Sequence, residues 1–309
     1  MVAAVFCVLA TSPAYASELV RGDFASDLVP HPMPYAALLP DGYRDGPPLP
    51  LLLYLHGASG NREDLAAEKS LIDAEWKAGR LPKMVIVMPS AAPFGFYMDF
   101  KDGTARWETL IAGPFRQFIQ QTYNASPDPK KNLLMGVSMG GEGTLRMGLK
   151  YPERFAAIAA LEPGVQPAFH WRDVTPRMRY WISDAQYEAA YGHPFDAAYW
   201  EANSPVTLAV KNRQKVLTSG LKIYLDVGDE DSLYLYDGVE FFHRLLWDEG
   251  VKHDYHLVNG GDHVGRSNPR RDVDALEFLG RALEPAEPDP AVEQFRTMLA
   301  PAKKKAGIQ

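Results

Sequence analysis

Between residues 49 and 260, short and almost unbroken apolar runs alternate with longer stretches whose apolar positions recur every three or four residues. "LPLLLYLHG" (49–57), "KMVIVMPS" (83–90), "KNLLMGV" (131–137), "FAAIAAL" (155–161), "LKIYLDVG" (221–228) and "HDYHLVNG" (253–260) are of the first kind, and "MPYAALLPDGY" (33–43) precedes them as a strand ending in a turn. Their length and flanking turn residues predict strands that are apolar on both faces. Among the second kind, "NREDLAAEKSLIDAEWKAG" (61–79) sets Leu65, Leu71, Ile72 and Trp76 near helical spacing, with Asn61 to cap the helix and Gly79 to end it. Further helices are predicted over 105–123, with an irregular start around Gly113-Pro114, over 139–152, and over 236–250. Buried strands alternating with amphipathic helices predict an α/β fold, a mostly parallel central sheet with helices on both faces. Chemistry in such a fold belongs at the carboxyl ends of the strands.

Two stretches break the rhythm. Residues 164–220 separate two strands and carry Phe169, Trp171, Tyr180, Trp181, Tyr187, Tyr191, Phe195, Tyr199 and Trp200. An aromatic-rich helical insertion at a strand's carboxyl end is expected to act as a cap that walls a pocket, with "FGFYMDF" (94–100) opposite it. The alternative is a packed excursion with its own small core. From 284 onward the chain reads as a Pro/Ala-rich tail with one short helix, which leaves 17–283 as a single domain.

The composition, 46% hydrophobic and 23% charged, is that of a globular protein. A formal net charge of -7 argues against nucleic acid as a partner, and the "KKK" at 303–305 reads as solvated end charge. "MVAAVFCVLATSPAYASEL" is apolar through Ala10 and reaches the small-residue pattern Ala14-Tyr15-Ala16, so residues 1–16 are expected to be a signal peptide and Ser17 the mature start. The apolar run is too short to span a bilayer, so stable membrane insertion is not expected. The single cysteine, Cys7, falls inside this leader. The mature chain would therefore hold no disulfide and no thiol nucleophile, and is expected to be secreted or periplasmic.

The chemistry centres on Gly136-Val137-Ser138-Met139-Gly140, a G-x-S-x-G motif set between an apolar strand and a helical pattern. Such a nucleophile elbow is so tight that its flanking positions must be nearly free of side chain, and it lifts the serine hydroxyl clear of the sheet at a helix N-terminus. A serine alcohol needs a base at neutral pH, and the base needs an orienting acid. The chain order Ser, acid, His points to the ends of the two following strands. In "GDED" (228–231) Asp231 stands three residues after Gly228, with Asp229 and Glu230 next best and Asp226 inside the strand. His263 follows the last strand in a Gly-Gly-Asp loop. Neighbouring Asp262 cannot easily reach back to that histidine's own Nδ1. His56 is expected to shape the loop after the 49–57 strand. That loop should supply one oxyanion-hole amide, from Ala58 or, second, Ser59, while Met139 supplies the other. No metal or organic cofactor is called for, because the acidic run lacks calcium-loop spacing.

"YLHGASGN", "GVSMGGEGT", "YGHPFDAAYWEANSP", "GDEDSLY" and "GGDH" together resemble the esterase D-like branch of the α/β-hydrolases, which includes S-formylglutathione hydrolases, tributyrin-type and feruloyl esterases and mycolyltransferases. The resemblance covers about residues 23–283 and implies the α/β-hydrolase fold, a triad on Ser138, Asp231 and His263, and an oxyanion hole on Ala58 and Met139. The sequence departs from it at Glu142, where these enzymes often carry an uncharged residue. The expectation is an exported serine carboxylesterase that works through an acyl-enzyme on a small-molecule or carbohydrate-linked ester. The aromatic insertion adds an expected preference for aryl or short to medium acyl groups. An acyltransferase with the same triad, or a catalytically silent binding protein on the same fold, are the alternatives.

Overall fold

The computed structural model describes residues 17–284 and 287–307, so the leader expected at 1–16 lies outside the described residues. The strands are β1 (Glu18–Phe24), β2 (Met33–Leu39), β3 (Leu51–Leu55), β4 (Val85–Pro89), β5 (Asn132–Val137), β6 (Ala157–Leu161), β7 (Lys222–Gly228) and β8 (Asp254–Val258). They form one sheet in the order β1-β2-β4-β3-β5-β6-β7-β8. β2 pairs antiparallel with both β1 and β4, and every pairing from β4 through β8 is parallel.

The helices are α1 (Asp64–Ala78), α2 (Trp107–Leu110), α3 (Arg116–Thr122), α4 (Met139–Lys150), α5 (Asp184–Tyr191), α6 (Ala197–Asn203), α7 (Pro205–Lys211), α8 (Arg213–Ser219), α9 (Leu235–Asp248), α10 (Asn268–Leu283) and α11 (Pro290–Lys305). The start of α1 falls three residues after Asn61, whose side chain accepts from the Glu63 amide rather than capping the helix, while Gly79 ends it at φ 70. The irregularity near Gly113-Pro114 is a π-turn, Ile111–Phe115, between α2 and α3.

Side chains alternate across the strands and make two cores. Leu51, Leu53, Val87, Leu134, Ile158 and Leu225 face α4, α9 and the 107–122 helices. Leu52, Ile86, Met135, Ala159 and Tyr224 face α1 and α10. This is why most of the strands read as continuous apolar runs. β8 differs: it is an edge strand with three of its five residues exposed. Helix α10 has no counterpart in the sequence reading, yet it closes the second core with Ala275, Leu276, Phe278 and Leu279. Helix α11 buries no residue, and no helix among the described residues is long and apolar enough to cross a membrane.

Most aromatics of the 164–220 segment are turned inward. Trp200 is 1% exposed. Its ring lies 5.3 Å from that of Trp171, while Tyr187 stacks on Phe96 at 5.9 Å. With Tyr191 and Phe195 they form a cluster continuous with the main core. Phe96 and Tyr97, expected to wall a pocket, are themselves buried.

Candidate active site

β5 runs directly into Ser138, and α4 begins at the next residue. Ser138 holds φ 56 and ψ -115, a backbone conformation that L-residues adopt only at a cost of about 1–3 kcal/mol. Its neighbours enforce it. A Cβ on Gly136 would run into the Gly140 carbonyl, and one on Gly140 into that of Leu55. The Ser138 amide donates to Leu161 O at 2.9 Å, and its carbonyl accepts from Glu142 N at 3.0 Å and Gly164 N at 3.2 Å.

Ser138 Oγ donates to His263 Nε2 at 3.1 Å, and His263 Nδ1 donates to Asp231 Oδ2 at 2.9 Å. Asp231 Oδ1 accepts from Leu233 N at 2.7 Å, so both carboxylate oxygens are held, and the residue is 1% exposed. Burial acts to lower the His263 pKa, but the Asp231 hydrogen bond and the Glu162 and Asp231 charges outweigh it and raise the imidazole above its ordinary value. The structure thus brings together three residues expected from three separate strand ends. Asp229 serves elsewhere: its carboxylate accepts from Gly260 N at 2.7 Å and Asn259 Nδ2 at 2.9 Å.

Ala58 and Met139 flank the serine. A Cβ on Gly57 would lie 3.7 Å from the Ser138 Cβ, which sets the loop after β3 against the serine. His56 Nδ1 donates to Gly57 O at 2.7 Å, and Tyr97 Oη donates to His56 O at 3.1 Å. Pinning the Gly57 carbonyl fixes the plane of the Gly57–Ala58 peptide, so the Ala58 N–H points the opposite way. Burial lowers the His56 pKa and keeps the ring neutral for that role. The Met139 N–H belongs to the first turn of α4, where amides have no partner within the helix.

Three polar residues contribute in ways the sequence reading did not anticipate. Asp262, left out because it cannot serve its neighbour's Nδ1, accepts from Ser232 N and Oγ at 2.7 Å and from His263 N at 2.6 Å. It ties the acid loop to the histidine loop. Glu142, the departure behind the elbow, is paired with Arg146, which is fully buried and also donates to Phe96 O at 2.5 Å and Asn203 O at 2.9 Å. That guanidinium clamps the loop after β4 and the insertion onto α4. Glu162, at the end of β6, lies 3.9 Å from His263 Nδ1 and pairs with Arg271 at 2.5 Å. Glu162, Asp231 and His263 hold their donor atoms within 4.8 Å of one another, a set with metal-ligand chemistry. The Arg271 guanidinium on Glu162 already supplies positive charge there.

Five of the six remaining histidines have partners away from Ser138. His243 and His253 bond each other at 2.8 Å, His256 stacks on Tyr224, and His170 and His193 face Glu201 and Glu188. From the insertion, Trp181 packs beside the elbow: its ring edge would lie 3.2 Å from a Cβ on Gly164, whose amide donates to the Ser138 carbonyl.

Residues 26–266 match the profile of a family described as "Putative esterase". An esterase of Mycobacterium tuberculosis is 28% identical over 274 residues, covering 81% of this chain and 58% of the relative. The chain thus spans a little over half the length of the curated relative it matches. Among solved structures, a ferulic acid esterase superposes with a TM-score of 0.72 at 21% identity, covering 87% of this chain and 99% of the other. An S-formylglutathione hydrolase from Agrobacterium tumefaciens does so with a TM-score of 0.71 at 19% identity, covering 88% and 98%. At such identities the likeness establishes the α/β-hydrolase fold.

Proposed function

The chain belongs to this esterase family, and from that premise we propose that it is a serine carboxylesterase working through an acyl-enzyme. The observation that carries the reading is the bonded line Asp231–His263–Ser138, with the serine in a strained elbow. Ser138 Oγ attacks the ester carbonyl while His263 Nε2 takes its proton. The Ala58 and Met139 amides stabilise the oxyanion, and the tetrahedral intermediate collapses as His263 returns the proton to the leaving alcohol. Water, deprotonated by the same imidazole, then releases the acid. Asp231 holds the ring in the required tautomer throughout and stabilises the imidazolium.

The substrates are small or carbohydrate-linked esters with aryl or short to medium acyl groups, the acyl part lying along Trp181. The partial exposure of Trp181 beside Gly164 supports this placement, and the inward packing of Trp200 keeps that ring out of it. The leader pattern ending at Ala16 supports export, with Ser17 as the first mature residue. N-terminal sequencing of the exported protein should read from Ser17, and a retained leader refutes export.

The test of the chemistry is Ser138→Ala against p-nitrophenyl esters of rising chain length and methyl ferulate. Turnover should fall by about 10⁶-fold, leaving only what binding and the oxyanion hole supply, with the fold intact by circular dichroism. Near wild-type turnover by Ser138→Ala overturns the mechanism.

A further inference from the structure

His263 Nδ1 faces two carboxylates. Asp231 Oδ2 holds it at 2.9 Å, and Glu162 Oε2 stands 3.9 Å away, both side chains buried. Glu162 does not belong to the acid loop. It follows β6 at φ 38, a left-handed conformation that a glutamate adopts only under constraint, and its amide donates to Asp226 O at 2.9 Å. The turn thereby carries its side chain toward the histidine loop. Arg271, from α10, holds Glu162 at 2.5 Å and Asp226 at 2.6 Å, and reaches Asp262 O at 3.4 Å, next to His263 in the chain. Glu162 and Arg271 also line a cavity of about 210 Å³.

We propose that Glu162 is a second carboxylate for His263: a positioning residue that faces the same ring nitrogen as Asp231, supports the imidazolium during turnover, and takes over the orienting bond when Asp231 is removed. The inference rests on the serine-esterase reading above. The charges around Glu162 suit this. Arg271 is shared between Asp226 and Glu162, so one guanidinium meets two carboxylates there, and Glu162 and Asp231 both face the imidazole. Asp272, next to Arg271, is turned away onto Tyr54 Oη. Burial pushes the Glu162 carboxyl up to about 7, against the opposing pull of Arg271 and His263 and with the added push of Asp226. A positive imidazole therefore favours ionisation of Glu162 at the moment the negative charge is needed.

The experiment measures kcat/KM for p-nitrophenyl butyrate between pH 5 and 9 in the wild type, Ser138→Ala, Asp231→Ala, Glu162→Gln and Asp231→Ala/Glu162→Gln, with melting temperatures alongside. Asp231→Ala should lose only about 10²-fold, where loss of a lone triad acid removes about 10⁴-fold. Adding Glu162→Gln should remove at least about tenfold more. Glu162→Gln alone should move the acid limb of the profile to lower pH, because one of the charges that raise the His263 pKa is gone. A Glu162 that only balances Arg271 would lower the melting temperature yet leave both the acid limb and the residual rate of Asp231→Ala in place. Either of those two results overturns the proposal. If Glu162→Gln does not fold, Glu162→Asp keeps the charge beside Arg271 but withdraws it from His263. In the Asp231→Ala background it should cost most of the residual rate, and no further loss overturns the proposal. An inactive wild type, or an active Ser138→Ala, instead refutes the esterase reading itself.

Discussion

Replacing Arg146 with Met should destabilise the protein strongly, and the cost should depend on pH. Arg146 is wholly buried and makes three charge-assisted bonds: to Glu142, to Phe96 O at 2.5 Å and to Asn203 O at 2.9 Å. Methionine fills most of the stem's volume, so packing changes little and the electrostatic loss dominates. Breaking a buried pair by removing one partner costs about 3–5 kcal/mol, because the other charge is left uncompensated. Each carbonyl left unsatisfied adds about 1–3 kcal/mol. Glu142 has a way out. Burial already raises its pKa even with Arg146 present, so in the variant it takes a proton. The net loss at pH 7 should therefore be about 4–6 kcal/mol. It should shrink at pH 5, where protonation of Glu142 costs less. The double variant Glu142→Gln/Arg146→Met removes the stranded charge and should lose only about 2–3 kcal/mol, chiefly from the two carbonyls. Urea unfolding followed by circular dichroism at both pH values gives all three numbers. An Arg146→Met protein within about 1 kcal/mol of wild type, or a double variant no more stable than Arg146→Met, refutes the argument.

Asp231→Asn should lower kcat at least about 10²-fold, whereas Asp229→Asn, which only loosens the 259–260 turn, should keep most of it; the reverse order in steady-state kinetics contradicts the assignment. Trp200→Ala should cost about 3–5 kcal/mol in urea and affect every ester alike. Trp181→Ala should leave the melting temperature nearly unmoved while changing the butyrate to ferulate ratio of kcat/KM, and an unchanged ratio removes Trp181 from the acyl site. The raised His263 pKa means that the ring stays protonated to higher pH and cannot act as a base there, so the acid limb of kcat/KM should have its midpoint above the ordinary imidazole value of about 6.5. A midpoint below that value contradicts the electrostatics described.

The parts of the fold legible in the sequence are those governed by local periodicity. β3 to β7 are buried on both faces, and an apolar run says so directly. β1 was hidden because it is an edge strand whose residues are all partly or fully exposed. α10 was hidden because its apolar positions follow "NPRRDVD" and carry no clean stripe at the start. Ser138, Asp231 and His263 could be read because each lies at a strand end with glycines near it. Glu162 and Asp262 could not, since their roles come from contacts across loops 30 to 109 residues apart. The aromatic segment shows the limit of counting: Tyr187, Tyr191 and Trp200 are core residues with the same local signature as pocket residues.

The backbone of Ser138 sets catalysis against durability. At φ 56 the residue sits where glycine would be at ease, and a serine there carries a standing penalty that the rest of the domain must absorb. A mutant library screened for heat resistance alone would therefore reward Ser138→Gly, a protein that is sturdier and inert. Laboratory evolution of this chain needs turnover in every round of selection, since the thermal optimum of the sequence and its working form part company at the residue proposed as the nucleophile.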